Sequence, residues 1–329
     1  MPLTIGLCGL GSAATRAHLP ALSRAEETGA ATVVGVCDPD PSRRDLVLRQ
    51  SGQARGFADV VSLLDGARPD LLVIASPPSA HLPAITAAVQ RGVDVLCEKP
   101  LGLSDPDVAL LEQLVAAHPE RLIAPVHQYR LAPPWRVFAR ALTVATARDC
   151  AFRLDAEVER PGTDPLSAGG WRADPAHEGG ILGDHAVHYL ALFWMTGLSA
   201  RVTAAERSGE GGSETARVEL RLGRGQATVT VSYAGHARRN RIALDVPSAG
   251  FHLDWHDESL TVTRRGGPGS VRRVGALSAR QLVNDLYEPM YDELLARWDD
   301  PAWRSERTAE TVGVARLLAG SLRLASTTS

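Results

Sequence analysis

The sequence predicts an α/β protein of two domains, a parallel sheet followed by a mixed, mostly antiparallel one. Three observations carry this. Up to about residue 125, short apolar runs alternate with helix-length segments, the rhythm of βαβ units and a parallel sheet. Beyond PPWRVFARAL (133–142) the runs alternate with period two, as strands with one solvated face do. The chain has 329 residues and is 44% hydrophobic, enough for two cores on the usual prior of about 100–200 residues per domain. The boundary is expected near 124/125, giving domains 1–124 and 125–329.

In chain order, LTIGLCG, ATVVGVCD, DLLVIAS, VDVLCE and RLIAPVH read as the parallel strands. A Pro pair opens a helix at PPWRVFARAL. The alternating runs DCAFRLDAEVE, ARVELRLG, QATVTVSYAG and RIALDV build the second sheet, and GGILGDHAVHYLALFWMTG (179–197) is a helix by its length and closing glycine. Helices around 279–298 and 306–325 end the chain. Polar, Gly-rich stretches at 207–214 and 265–270 read as hairpin loops. No internal repeat or low-complexity segment is visible.

Composition excludes several function classes. A net charge of -3 with interspersed signs offers no basic field for nucleic acid or anionic membrane, so a small-molecule partner is expected. The N-terminal MPLTIGLCGLG has neither a cationic leader nor a cleavage site, and no apolar run is long enough to span a bilayer, so a cytoplasmic protein is expected. Cys8, Cys37, Cys97 and Cys150 are widely spaced and suggest neither disulfides nor a metal site.

GLCGLGSAATRAHLPAL carries Gly9, Gly11 and Ala14 as GxGxxA, directly after the first strand. Small residues there permit a tight turn and close approach of a pyrophosphate to the helix start, at Ser12 and Ala13. The second strand ends in Asp38, correctly spaced to accept hydrogen bonds from an adenosine ribose. A Rossmann dinucleotide domain follows from this context, with NAD(H) favoured because Asp38 repels a 2'-phosphate. Arg43 and Arg44 lie close enough to offset that charge and leave NADP(H) open.

Of 35 cationic side chains, Lys99 in DVLCEKPLGLS is the only lysine, and the rest are arginine. A compact amine that can shift its pKa does chemistry that a guanidinium cannot. Both this loop and ASPPSAH follow parallel strands, at the carboxyl edge where open α/β sheets bind ligands. In the helix after residue 179, Asp184 and His188 are four apart, a spacing that puts both side chains on one face, where a carboxylate can orient a proton-shuttling imidazole.

These segments resemble the glucose-fructose oxidoreductase, inositol dehydrogenase and MocA family. The resemblance runs the whole chain in order: EKP, ASPPSAH (Ser76, Pro77, Pro78, His81), VHQYR (His127 to Arg130) and GGWRADPAHEGGILGDHAVH, which is similar to the family's WR loop, Gly-rich turn and DxxxH helix. It implies Lys99, Asp184 and His188 as the catalytic set, with His188 exchanging the alcohol proton and Lys99 polarising the same oxygen. It also implies cofactor contacts at Ser76, Pro77, His81, Glu98, Lys99 and Gln128, and substrate contacts at Tyr129, Trp171, Arg172, Asp184, His185 and His188. The implied activity is NAD(P)-dependent oxidation or reduction of a secondary alcohol or ketone on a sugar, cyclitol or similar molecule, in a homodimer or homotetramer joined through an open second sheet. Reduction of C=N or C=C bonds, cofactor-recycling elimination or hydrolysis, and a non-catalytic dinucleotide sensor are the alternatives. Two departures stand out: Gln128 replaces the usual Asn, and His185 takes a position that is usually small or apolar. His177, Glu178, Asp184, His185 and His188 could be read as metal ligands, but the spacing specifies no complete set, and no metal is expected.

Overall fold

The apolar runs of the first part form one parallel sheet. In chain order they are β1 (Leu3–Cys8), β2 (Ala31–Cys37), β3 (Arg55–Phe57), β4 (Leu71–Ile74), β5 (Asp94–Cys97) and β6 (Ile123–Pro125). They lie in the order β3-β2-β1-β4-β5-β6, every pair parallel, as in a Rossmann domain. This computed structural model describes residues 1–49, 53–163, 179–210, 213–256, 259–264, 270–273 and 285–326. Every residue of β4 and β5 is buried, which is why those strands read as unbroken apolar runs. β3 is a three-residue edge strand in RGF that no apolar pattern announces.

The strands are joined by α1 (Leu19–Glu27), α2 (Pro41–Leu48), α3 (Val60–Ala67), α4 (His81–Val89) and α5 (Asp105–Ala117). Local chemistry sets their ends. The Asp40 side chain accepts from Ser42 N–H with Pro41 in the first turn, the Asp59 side chain accepts from Ser62 N–H, and Arg68 closes α3 at φ 48.

Among the described residues the further α-helices are α6 (Pro133–Ala147), α7 (Val187–Trp194), α8 (Tyr287–Ala296) and α9 (Pro301–Ser326). Its first half gives α9 a specific task. Thr308 Oγ1 accepts from Ile123 N–H (3.2 Å) and the Thr311 hydroxyl donates to Ile123 O (2.5 Å), so the open edge of the parallel sheet at β6 is covered by side chains.

The second sheet has seven strands: β7 (Arg153–Pro161), β8 (Ala200–Ser208), β9 (Thr215–Leu222), β10 (Gly225–Val246), β11 (Phe251–His256), β12 (Ser259–Arg264) and β13 (Ser270–Arg273). β8 to β13 are antiparallel neighbours in sequence order. QATVTVSYAG and RIALDV prove to be two arms of the 22-residue β10. One arm pairs with β7 from Gln226↔Arg153 to Ser232↔Glu159, the other in descending register from Arg239↔Glu159 to Asp245↔Arg153, so β7 is paired along both arms. β8 gave no sequence signal because most of its residues are exposed.

The chain folds into two compact units, one of residues 1–102, 106–128 and 283–312, the other of residues 103–105, 129–282 and 313–329. A single cut at 124/125 therefore differs from the observed division at the C-terminal end, where α8 and the first half of α9 join the dinucleotide unit. Among the described residues no helix is long and apolar enough to cross a membrane.

Candidate functional site

The candidate residues fall into two sets, one in each unit. In the first, β1 and β4 are neighbours although consecutive in space only, the topological switch point at which such sheets bind ligands. Gly9 N–H donates to Cys37 O (2.8 Å) and Ala75 N–H to Cys8 O (2.7 Å), which knits the three strand ends together. Gly9 has φ +87, and a Cβ there would lie 2.5 Å from Ser76 N, so only glycine fits. At Gly11 a Cβ would meet no atom within 4 Å. That open side is the room a pyrophosphate needs, and Ser12 and Ala13 begin the helical segment beside it. Ala14 starts a wide π turn, Ala14–His18, that leads into α1.

Asp38 is buried, and its two oxygens accept Leu10 N–H (2.8 Å) and Asp40 N–H (3.0 Å). A carboxylate has about four acceptor positions, so capacity remains for two ribose hydroxyls. Arg43 Nη1 lies 3.8 Å from Asp38 Oδ2, while Arg44 Nη1 donates to Asp38 O (2.6 Å). These residues therefore fit a dinucleotide, with the loop, the open side at Gly11 and the Asp38 carboxylate in their places.

The loops after β4, β5 and β6 carry the rest of this set. Pro77 precedes a short turn at Pro78–Ala80 that opens α4. His81, expected at the cofactor, braces two loops: Nδ1 lies 2.8 Å from Pro100 O and Nε2 2.9 Å from Ser76 O. Among the described residues, Ser76 Oγ and Gln128 Oε1 are buried with no hydrogen-bond partner, so both atoms have bonding capacity to spare.

Glu98 lies in a buried cluster. Its Oε1 accepts from Tyr287 O–H (2.5 Å) and from His18 Nε2 (3.1 Å), while His18 Nδ1 meets Tyr291 O–H (2.7 Å). Burial acts to raise the Glu98 pKa, but His18, the Tyr287 hydroxyl and the neighbouring Lys99 charge outweigh it and hold the carboxyl below its usual range. A second buried set joins His127 Nδ1 to Glu310 Oε1 (2.7 Å), with Arg307 Nη1 at 2.6 Å from the other Glu310 oxygen.

In the second unit, Asp184 and His185 occupy another π turn, Leu182–Ala186, and His188 lies in the first turn of α7. In a π turn the ladder steps by five residues instead of four, so the face relation read from DxxxH does not carry over unchanged. Tyr233 O–H donates to Asp184 Oδ2 (3.2 Å), and His185 Nε2 is 3.6 Å from the same oxygen. His188 stacks on Tyr129, ring centroids 4.3 Å apart and 13° between planes, and Tyr189 meets Tyr129 edge-on at 6.0 Å. Burial pushes the Tyr129 hydroxyl above its usual pKa, so it stays a neutral donor. Behind these rings Tyr189 O–H and Arg160 Nη2 both donate to Asn240 Oδ1, at 3.1 and 2.9 Å. Trp171, Arg172, His177 and Glu178 lie outside the described residues.

Sequence reasoning missed His18, Tyr287, Tyr291, Glu310, Tyr233 and Asn240. His18 alone carried a local signal, as the polar residue in the apolar stretch AHLPAL; the others are defined by partners distant in sequence.

Residues 3–123 match the model of GFO_IDH_MocA, the oxidoreductase family with an NAD-binding Rossmann fold. The chain is similar to inositol 2-dehydrogenase 1 of Saccharopolyspora erythraea, 35% identical over 120 residues, 36% of each protein. The matched part covers between 36% and 53% of the lengths of this and two further curated relatives. Two solved structures share the fold along almost the whole chain. An oxidoreductase domain protein from Kribbella flavida has a TM-score of 0.82 at 17% identity, covering 100% of this chain and 98% of that one. The WlbA dehydrogenase from Bordetella pertussis, in complex with NADH and UDP-GlcNAcA, has 0.81 at 17%, covering 100% and 96%.

Proposed function

We propose that this chain is a nicotinamide-dependent dehydrogenase of the GFO_IDH_MocA oxidoreductase family, whose model residues 3–123 match. Its substrate is a secondary alcohol or ketone on a sugar, cyclitol or related polyhydroxylated small molecule. The observation that carries this reading is the carboxyl edge of the parallel sheet. A glycine turn with open space at Gly11 and the Asp38 carboxylate supply a dinucleotide cradle, and the chain's only lysine follows β5 on the same edge. The names of an inositol dehydrogenase relative and of a structure holding NADH with a nucleotide sugar support the substrate class.

When bound, the nicotinamide supplies the hydride acceptor or donor. Asp38 binds the ribose hydroxyls and, by its charge, disfavours a 2'-phosphate. Lys99 donates to the substrate oxygen and stabilises the negative charge that grows there as hydride leaves carbon. His188 takes the alcohol proton in oxidation and returns it in reduction, its ring plane set by the stack on Tyr129. Asp184, held by Tyr233, places a negative charge beside His185 on the same helical segment.

Fluorescence titration and initial rates across a polyol and cyclitol panel test the reading. NADH should bind about tenfold or more tightly than NADPH, and Asp38→Ala should erase that difference. Turnover with net change in nicotinamide absorbance is expected for at least one polyol. Binding without turnover throughout would favour a dinucleotide sensor, and turnover without net redox a recycled cofactor.

A further inference from the structure

We propose that His18 is a positioning residue for Lys99, acting through Glu98. The proposal rests on the reading that Lys99 meets the substrate oxygen. Three segments distant in sequence converge on the Glu98 carboxylate: the helix that the glycine turn opens, the loop after β5, and α8. His18, Tyr287 and Tyr291 are each at most 4% exposed.

The direction of the hydrogen bonds follows from the groups. An ionised carboxylate only accepts, so His18 Nε2 carries the proton and donates to Glu98 Oε1, alongside the Tyr287 hydroxyl. On the other side of the ring Nδ1 meets the Tyr291 hydroxyl at 2.7 Å. The His18 ring also meets Tyr287 edge-on, centroids 4.9 Å apart, which fixes its plane. Two donors, His18 Nε2 and the Tyr287 hydroxyl, therefore end on one oxygen of one carboxylate.

Its consequence is local. Glu98 is the residue before Lys99, and its own N–H donates to Ile74 O (2.8 Å). On the other side of Lys99, the Pro100 carbonyl meets His81 Nδ1. The backbone that carries the lone amine is thus held at both flanks, by an imidazole-anchored side chain before it and an imidazole-anchored carbonyl after it. Core packing alone does not require this. A buried polar cluster costs desolvation that apolar residues of equal volume would avoid. What the cluster adds over apolar packing is direction, and a reacting amine depends on direction: misplacement by about 1 Å can cost about 10²-fold in rate.

The test compares His18→Leu with His18→Gln, whose amide can still donate to Glu98, and with Lys99→Arg, all in the full-length protein on one active polyol. His18→Leu is expected to keep NADH affinity within about twofold of the parent, to keep KM, and to lose about 10²-fold in kcat. His18→Gln should recover most of that loss. If His18→Leu is folded, binds NADH and retains full kcat while Lys99→Arg is inactive, the positioning role is overturned and the reading of Lys99 stands. If kcat falls only in step with NADH affinity and thermal midpoint, and Gln does not rescue it, His18 is structural and the proposal fails. If Lys99→Arg is fully active, the reading of Lys99 fails and the proposal with it.

Discussion

Two donors on one buried oxygen tie the protonation of Glu98 to the fold of the dinucleotide unit. Its folded-state pKa is depressed by His18, Tyr287 and Lys99 acting against burial. The folded chain therefore binds this proton less readily than the unfolded chain does, and the stabilisation is present above the unfolded value, about 4.3. It is lost as pH falls through the folded value. Glu98→Gln should cost about 1–3 kcal/mol at neutral pH, and the gap from the parent should narrow at about pH 3, as read from urea midpoints at the two pH values. A gap that persists or widens in acid would show that the carboxylate's charge does not carry the effect. Legibility in the sequence divides along the same line. Gly9, Gly11 and Asp38 could be read because the turn and strand end that use them are local. Glu98's partner Tyr287 is 189 positions away and His127's partner Glu310 is 183 away, and no periodicity connects residues so distant.

At the scale of elements, the strands buried on both faces announced themselves, while β3 and β8, at sheet edges and mostly exposed, did not. Period two in 226–235 and 241–246 was right for strand but silent on the bend between them, since alternation reports faces and not continuity. The DxxxH helix was likewise legible as a helix, but the π turn Leu182–Ala186 depends on tertiary packing that periodicity does not encode. Close packing of α9 gives a sharper test. Gly313 lies where a Cβ would overlap the Trp194 indole nitrogen beyond the end of its tolerance. Gly313→Ala, which would favour an isolated helix by about 1 kcal/mol, should instead destabilise the protein by about 1–3 kcal/mol through overpacking. Thermal and urea midpoints decide it, and a stabilised variant would contradict the packing described.

For the whole molecule, the division into units makes the C-terminal part necessary to the N-terminal sheet. Residues 283–312 bring Tyr287 and Tyr291 to His18 and Glu98, Thr308 and Thr311 to the β6 edge, and Glu310 to His127. A chain ending after residue 282 should therefore fail to unfold cooperatively and should lose NADH binding, although all of the glycine turn and Asp38 remain. Cooperative unfolding with parental NADH affinity would show that the sheet completes its core without that segment.

The central claim, that a nicotinamide-dependent oxidoreductase works through its one lysine, is tested most directly by measuring kcat and NADH affinity together for the parent and Lys99→Arg on the same polyol. Arginine keeps the charge but not the compact, three-way donor. The account predicts a fall in kcat of about 10²- to 10⁴-fold with NADH affinity nearly unchanged. Parental kcat in the folded variant would contradict it.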